Sequence, residues 1–182
     1  YPLSHTRTRR IEPVWTPPGG TATLTRRQER GLVMQIEAVG VVRSPVREAV
    51  EANWGDVVAE IHLRPELAPG LQGIEQWSHV MVVYSMHEAS FDPEKDLVHR
   101  PRDRADMPEL GVFAQRDRVR PNGIGVSAAE IIAVADNVLT VRRLDAIDGT
   151  PVLDIKPWAE VYDNVSGALT PFWFLRLMQG YF

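Results

Sequence analysis

Three stretches of the chain gather side chains that can do chemistry. In GVFAQRDRVRPNGIG, alternating apolar residues from Gly111 give way to Arg116, Arg118 and Arg120 at every second position, closing in a Pro-Asn-Gly turn. Arginine offers a planar fork that pairs bidentately with carboxylate or phosphate, and glycines such as Gly123 and Gly125 allow a ligand to approach the backbone closely. Taken alone, the stretch reads equally well as a solvated hairpin with surface arginines. In RRLDAIDGTPVLDIKPW, Asp145, Asp148 and Asp154 lie near Lys156. Carboxylates at strand ends can bind a ribose diol or an exocyclic amine, although Asp148, in Asp-Gly-Thr-Pro, also suits a plain turn. Met86-His87-Glu88 ends an apolar run, and His87 there reads as a general base, a ring for stacking or an ordinary strand-end histidine.

These residues need a frame, and the dominant period of the chain is two. Strands are expected in QIEAVGVVRSP, in VVAEIHLR with Val57, Ala59, Ile61 and Leu63 inward, and over 80–84, where apolar residues on both faces predict a fully covered strand. Segments 110–114, 126–134, 138–144 and 152–155 complete about seven, with Asp136-Asn137 as a two-residue turn. The expected fold class is mainly β: a single barrel domain of about seven short strands with a C-terminal helix. That helix is expected over 171–179, with Thr170 as cap and Gly180 as stop. Its run of Phe172, Trp173, Phe174, Leu175, Leu177 and Met178 is apolar almost all round, so its own barrel or a second subunit must cover it.

Composition narrows the function classes. The 182 residues suit one domain with a real core, and the absence of cysteine excludes disulfides and thiol chemistry. No apolar run approaches the length of a membrane helix and no signal peptide is evident, so the expected setting is cytoplasmic. The five histidines show no metal-ligand spacing, and neither a phosphate-binding glycine loop nor a serine-hydrolase elbow occurs. Net charge is −4, yet residues 1–33 hold six arginines against Glu12 and Glu29. This basic segment, rich in Thr, Pro and Gly, is expected to be a flexible extension, either an inert tail or a phosphate-seeking arm, ahead of a domain over 34–182.

VGVVRSP, GLQGIEQWSHVMVVYSMH, GVFAQRDRVRPNGIGVS and LDAIDGTPVLDIKPW stand in the order and spacing of the TrmO family, also called YaeB-like or TsaA-like, which the chain resembles over roughly residues 36–163. The resemblance implies an S-adenosylmethionine-dependent methyltransferase built on a β-barrel. It also implies a homodimer with the cofactor near the subunit interface. The best-studied branch methylates N6 of threonylcarbamoyladenosine beside the tRNA anticodon. Cofactor contacts would fall on His87, Glu88, Arg116, Val126, Arg142, Arg143, Leu144 and Asp145, with Asn53, Trp54 and Gly55 from the loop after the first strand. Lys156, Asp148 and Asn122 are the candidates around the nucleophile. Asp117, Arg118, Val119 and Gly123 depart from the family's usual Ser, Pro, His and Pro. Arg100, Arg102 and Arg104 would line a substrate face, tempered by Asp103, Asp106, Glu109 and Asp117. The competing reading is a barrel that binds S-adenosylmethionine or RNA without chemistry.

Overall fold

Alternating apolar residues pair into β1 (Gly40–Arg43), β2 (Val58–Leu63), β3 (His79–Ser85), β6 (Ile124–Ala135), β7 (Val138–Arg142) and β8 (Pro151–Pro157). In the computed structural model, which describes residues 34–182, these six strands close an antiparallel barrel in the order β1-β2-β7-β6-β3-β8. The expected arm at 1–33 lies outside the described residues. Every second residue points inward, and Val42, Ile61, Val80, Val82, Leu139, Val141 and Val152 are wholly buried together. Closure gives each of the six strands a neighbour on both sides, although β6 pairs with β3 over 124–130 and with β7 only from Glu130 onward.

Six strands form the barrel rather than about seven. Segment 110–114 is the difference: only β5 (Leu110–Gly111) pairs, and it pairs with β4 (Val98–His99) in a separate two-stranded sheet. The Val112 N–H turns to the Leu97 carbonyl at 3.0 Å, and Val112–Ala114 curl into a 3₁₀ turn that buries Val112 and leaves Phe113 exposed. β3 is central, between β6 and β8, but its outward residues Met81 and Val83 are only half-buried, so it is not covered on both faces as expected. The hairpin at Asp136-Asn137 forms, joining Ala135 to Val138, with Asp136 taking the left-handed φ of 52°.

A short helix α1 (Glu160–Asp163), not foreseen in the sequence, follows β8. The C-terminal helix α2 (Phe172–Leu177) is shorter than expected, with Pro171 instead of Thr170 at the capping position. It ends with Met178 as its C-cap, whose N–H donates to the Phe174 carbonyl, and the expected stop, Gly180, takes a left-handed φ of 70° two residues later. Leu177 is buried in its own subunit while Phe172 and Leu175 are exposed. Among the described residues no helix is long and apolar enough to cross a membrane.

Antiparallel order brings three connections to one end of the barrel: 44–57 between β1 and β2, 86–123 between β3 and β6, and 143–150 between β7 and β8. β6 overhangs that end, because β7 pairs with it only from Glu130 onward and leaves residues 124–129 open on that side.

Candidate functional site

Most of the residues singled out from the sequence come to this end, but Asp154 does not, and neither does its neighbour Lys156. Lys156 faces outward on β8 opposite Met81, and its ammonium is paired with Asp154 on an exposed wall. Asp148 is at the mouth, but as a turn former. Its carboxylate accepts the Ser44 N–H at 3.2 Å and its own N–H donates to the Val46 carbonyl at 2.8 Å, tying two of the connections together.

The centre of the mouth is Asp145. Its Oδ1 accepts the Tyr84 hydroxyl at 3.0 Å and the Ser127 hydroxyl, and its Oδ2 accepts the Tyr181 hydroxyl at 3.0 Å. Tyr84 and Ser127 face the barrel interior from β3 and β6. Burial first, and then the charge of Asp145, raise both phenols well above the ordinary tyrosine range. A raised folded-state pKa favours the native protein below the unfolded value near 10, and this contribution is lost as the pH climbs further. At about pH 11 the native protein should therefore show the same phenolate absorbance with or without Tyr181→Phe, whereas the unfolded chains differ by one phenolate. A native difference would mean that Tyr181 is not held as described.

The 53–55 and 143–145 segments meet through the end of the chain. The Asn53 N–H donates to the Gly180 carbonyl at 3.0 Å and the Trp54 N–H to the Tyr181 carbonyl at 2.8 Å. Trp54 is 2% exposed, and its indole N–H donates to the Val50 carbonyl at 3.1 Å. Gly55 abuts the Phe182 backbone, the Arg143 guanidinium covers the Phe182 ring at 4.2 Å, and Arg102 covers the Tyr181 ring at 5.3 Å. Leu144 is wholly buried, and Arg142 is turned to the outer wall in an ion pair with Glu130 at 3.1 Å. The substrate-face arginines are likewise engaged: Arg100 with Glu109, Arg102 with Glu51 and Arg104 with Asp106.

The three alternate arginines divide their labour. Arg120 folds back to donate to the carbonyls of Gln115 at 2.8 Å and Val112 at 3.2 Å, so it shapes the turn. Arg118 is exposed. Arg116 donates to the Val126 carbonyl at 2.7 Å, on the open edge of β6, which joins two of the expected cofactor residues and leaves most of the guanidinium facing outward. Its charge is close enough to act on Tyr84. Asp117, one of the departures, accepts from the Val119 N–H at 3.1 Å and pairs with His99 at 3.3 Å. Beside the turn, His87 and Asn122 line a cleft of about 340 Å³ with Met86, Phe91 and Gly123, and Glu88 is exposed at its edge. Among the described residues no three His, Asp or Glu are grouped to hold a metal ion.

Sequence reasoning missed Tyr84, Ser127 and Tyr181, and it gave Arg102 to a substrate face rather than to the Tyr181 ring that it covers. Tyr84 reads as core and Ser127 as one residue of a strand, while Tyr181 lies 36 positions from Asp145 and carries no local signal.

A family model described as the tRNA-methyltransferase O N-terminal domain matches residues 41–164. The chain is 41% identical over 137 residues to an S-adenosyl-L-methionine-binding protein of Archaeoglobus fulgidus, a match that covers 73% of this chain and 95% of that protein. It is 34% identical over 145 residues to the tRNA (adenine(37)-N6)-methyltransferase of Escherichia coli K12, covering 74% and 61%. The crystal structure of TrmO from Pseudomonas aeruginosa superposes with a TM-score of 0.63 at 29% identity, over 78% of this chain and 63% of that one. The chain thus spans less than two thirds of the Escherichia coli and Pseudomonas proteins. Because the matched residues run from within β1 to just past α1, they take in the whole barrel and its mouth, and the chain belongs to the TrmO family.

Proposed function

We propose that this protein is an S-adenosylmethionine-dependent methyltransferase acting on N6 of an adenine in tRNA, with threonylcarbamoyladenosine as the acceptor. The observation that carries the reading is the gathering of Arg116 and His87 from the 86–123 connection, Val126 from β6 and Asp145 from the 143–150 connection at one mouth. Their chemistry fits the cofactor: Arg116 has free N–H groups for its carboxylate, Asp145 retains acceptor capacity for hydroxyls, and exposed Ile124 and Val126 offer apolar surface to a purine. When bound, S-adenosylmethionine supplies an electrophilic methyl carbon on its sulfonium. The protein then has to align the acceptor nitrogen and take up its proton. Asn122 and His87 share the cleft, where the Asn122 amide can orient an unpaired base. The His87 imidazole lines the same cleft and is the group placed to receive that proton. This reading gives no part in proton transfer to Lys156, paired with Asp154, or to Asp148, which accepts the Ser44 N–H. The reading puts the protein in the cytoplasm, with tRNA.

Labelled methyl groups from S-adenosylmethionine should appear in tRNA carrying threonylcarbamoyladenosine and not in tRNA lacking that modification. Label in neither, alongside measurable cofactor binding, would favour the non-catalytic barrel, a reading that the binding-only name of the Archaeoglobus relative also suits.

We also propose a homodimer joined through the C-terminal segment. Val161, Tyr162, Leu169, Phe172 and Leu175 are all exposed there, a concentration of apolar surface that monomers rarely carry. Light scattering at micromolar concentration should give a dimer mass, and a monomer mass for Phe172→Glu with Leu175→Glu. A monomeric parent protein defeats the proposal, and a dimer that survives both changes moves the interface elsewhere.

A further inference from the structure

Residues 165–182 lie beyond the span matched by the family model, yet their last three reach into the mouth that this span builds. Five residues given to the cofactor by resemblance are engaged by this end of the chain. The Asn53 and Trp54 amides donate to the Gly180 and Tyr181 carbonyls, Gly55 abuts Phe182, Arg143 covers the Phe182 ring, and Asp145 Oδ2 holds the Tyr181 hydroxyl. A phenol on a carboxylate oxygen occupies the place that a ligand hydroxyl would take, and two amides already donating to carbonyls cannot serve a ligand as well.

The segment is lightly tethered. Within its own subunit residues 160–172 are exposed throughout, Leu177 is the buried anchor of α2, and Arg176 ties the helix to Asp106, at 2.8 Å to its carbonyl and 3.1 Å to its carboxylate. The residues clamping the end are strained: Asn53, Arg102 and Arg143 have φ of 64°, 52° and 71°, backbone that non-glycine residues adopt at a cost.

We propose that residues 180–182 form an autoinhibitory strap that competes with the nucleoside part of the cofactor for Asp145, Arg143 and the 53–55 loop. The proposal rests on the reading of this mouth as the S-adenosylmethionine site. An occluded site weakens apparent affinity by the fraction of molecules in which it is open, so loosening the strap tightens binding. Calorimetry on the full chain with S-adenosylmethionine and S-adenosylhomocysteine should show Kd falling on the order of tenfold in Tyr181→Phe, and again in Tyr181→Ala, the effect of losing one hydrogen bond to a charged group. Unchanged or weaker affinity in both variants overturns the strap and makes Tyr181 a wall of the site. No binding by the parent or by either variant overturns the reading of the mouth itself, and the strap with it.

Discussion

Gly125→Ala is expected to cost about 3 kcal/mol of stability, although it adds a single methyl group. Gly125 pairs directly with Tyr84 across β6 and β3. A Cβ there would stand 2.4 Å from Tyr84 Cε2, 2.5 Å from Cζ and 2.9 Å from Met86 Cε, far inside van der Waals contact. The ring cannot swing away freely, since Tyr84 is 4% exposed and its hydroxyl is fixed to Asp145. The added methyl must either overpack the barrel or push the phenol off its carboxylate, and both are costly. Urea unfolding should show a lower midpoint with an unchanged slope. In a Tyr84→Leu background the same glycine change should be far cheaper, because the clash partner is gone. Gly149→Ala is the control: φ is +82° but no atom lies within 4 Å, so only the backbone term of roughly 1 kcal/mol remains. A Gly125→Ala loss no larger than that of Gly149→Ala would sink the argument.

That glycine also shows where reading the sequence stopped. Gly125 looks like a place for a ligand to approach the backbone, but what approaches is the ring of Tyr84, across a strand pair that no local pattern announces. Period-two alternation was sufficient for the six barrel strands because each has partners that reward it. It failed over 110–114, where the Leu97 carbonyl and a 3₁₀ turn claim the backbone instead. The mouth was legible as segments, since each lies in one of the three connections, but its centre was not. Asp145 is held by hydroxyls from β3, β6 and the end of the chain, and residues chosen for their distance in space leave no spacing to read. Lys156 misled for the converse reason: it is close to Asp145 in sequence but outward on β8, at the far half of the strand.

Arg116→Ala should weaken S-adenosylmethionine binding by about 1.5–3 kcal/mol, roughly 10- to 150-fold in Kd, and leave stability within about 0.5 kcal/mol. The two halves of the expectation follow from one geometry. Arg116 is exposed and its single hydrogen bond runs to the Val126 carbonyl, a group at an open strand edge that water can satisfy once the side chain is gone. Arg120, by contrast, donates into its own turn and its loss should unfold that turn, so Arg116 is the arginine of the three whose removal tests binding without disturbing the fold. Binding should suffer because the guanidinium is a permanent charge, with unused donors, held where β6 overhangs the mouth and near enough to Tyr84 to bear on its hydroxyl. Arg116→Lys keeps the charge and loses the fork, so calorimetry should place it between the parent and the alanine protein. Equal affinities for all three, in folded protein, would remove Arg116 from the cofactor site and leave the Val126 carbonyl as its sole purpose.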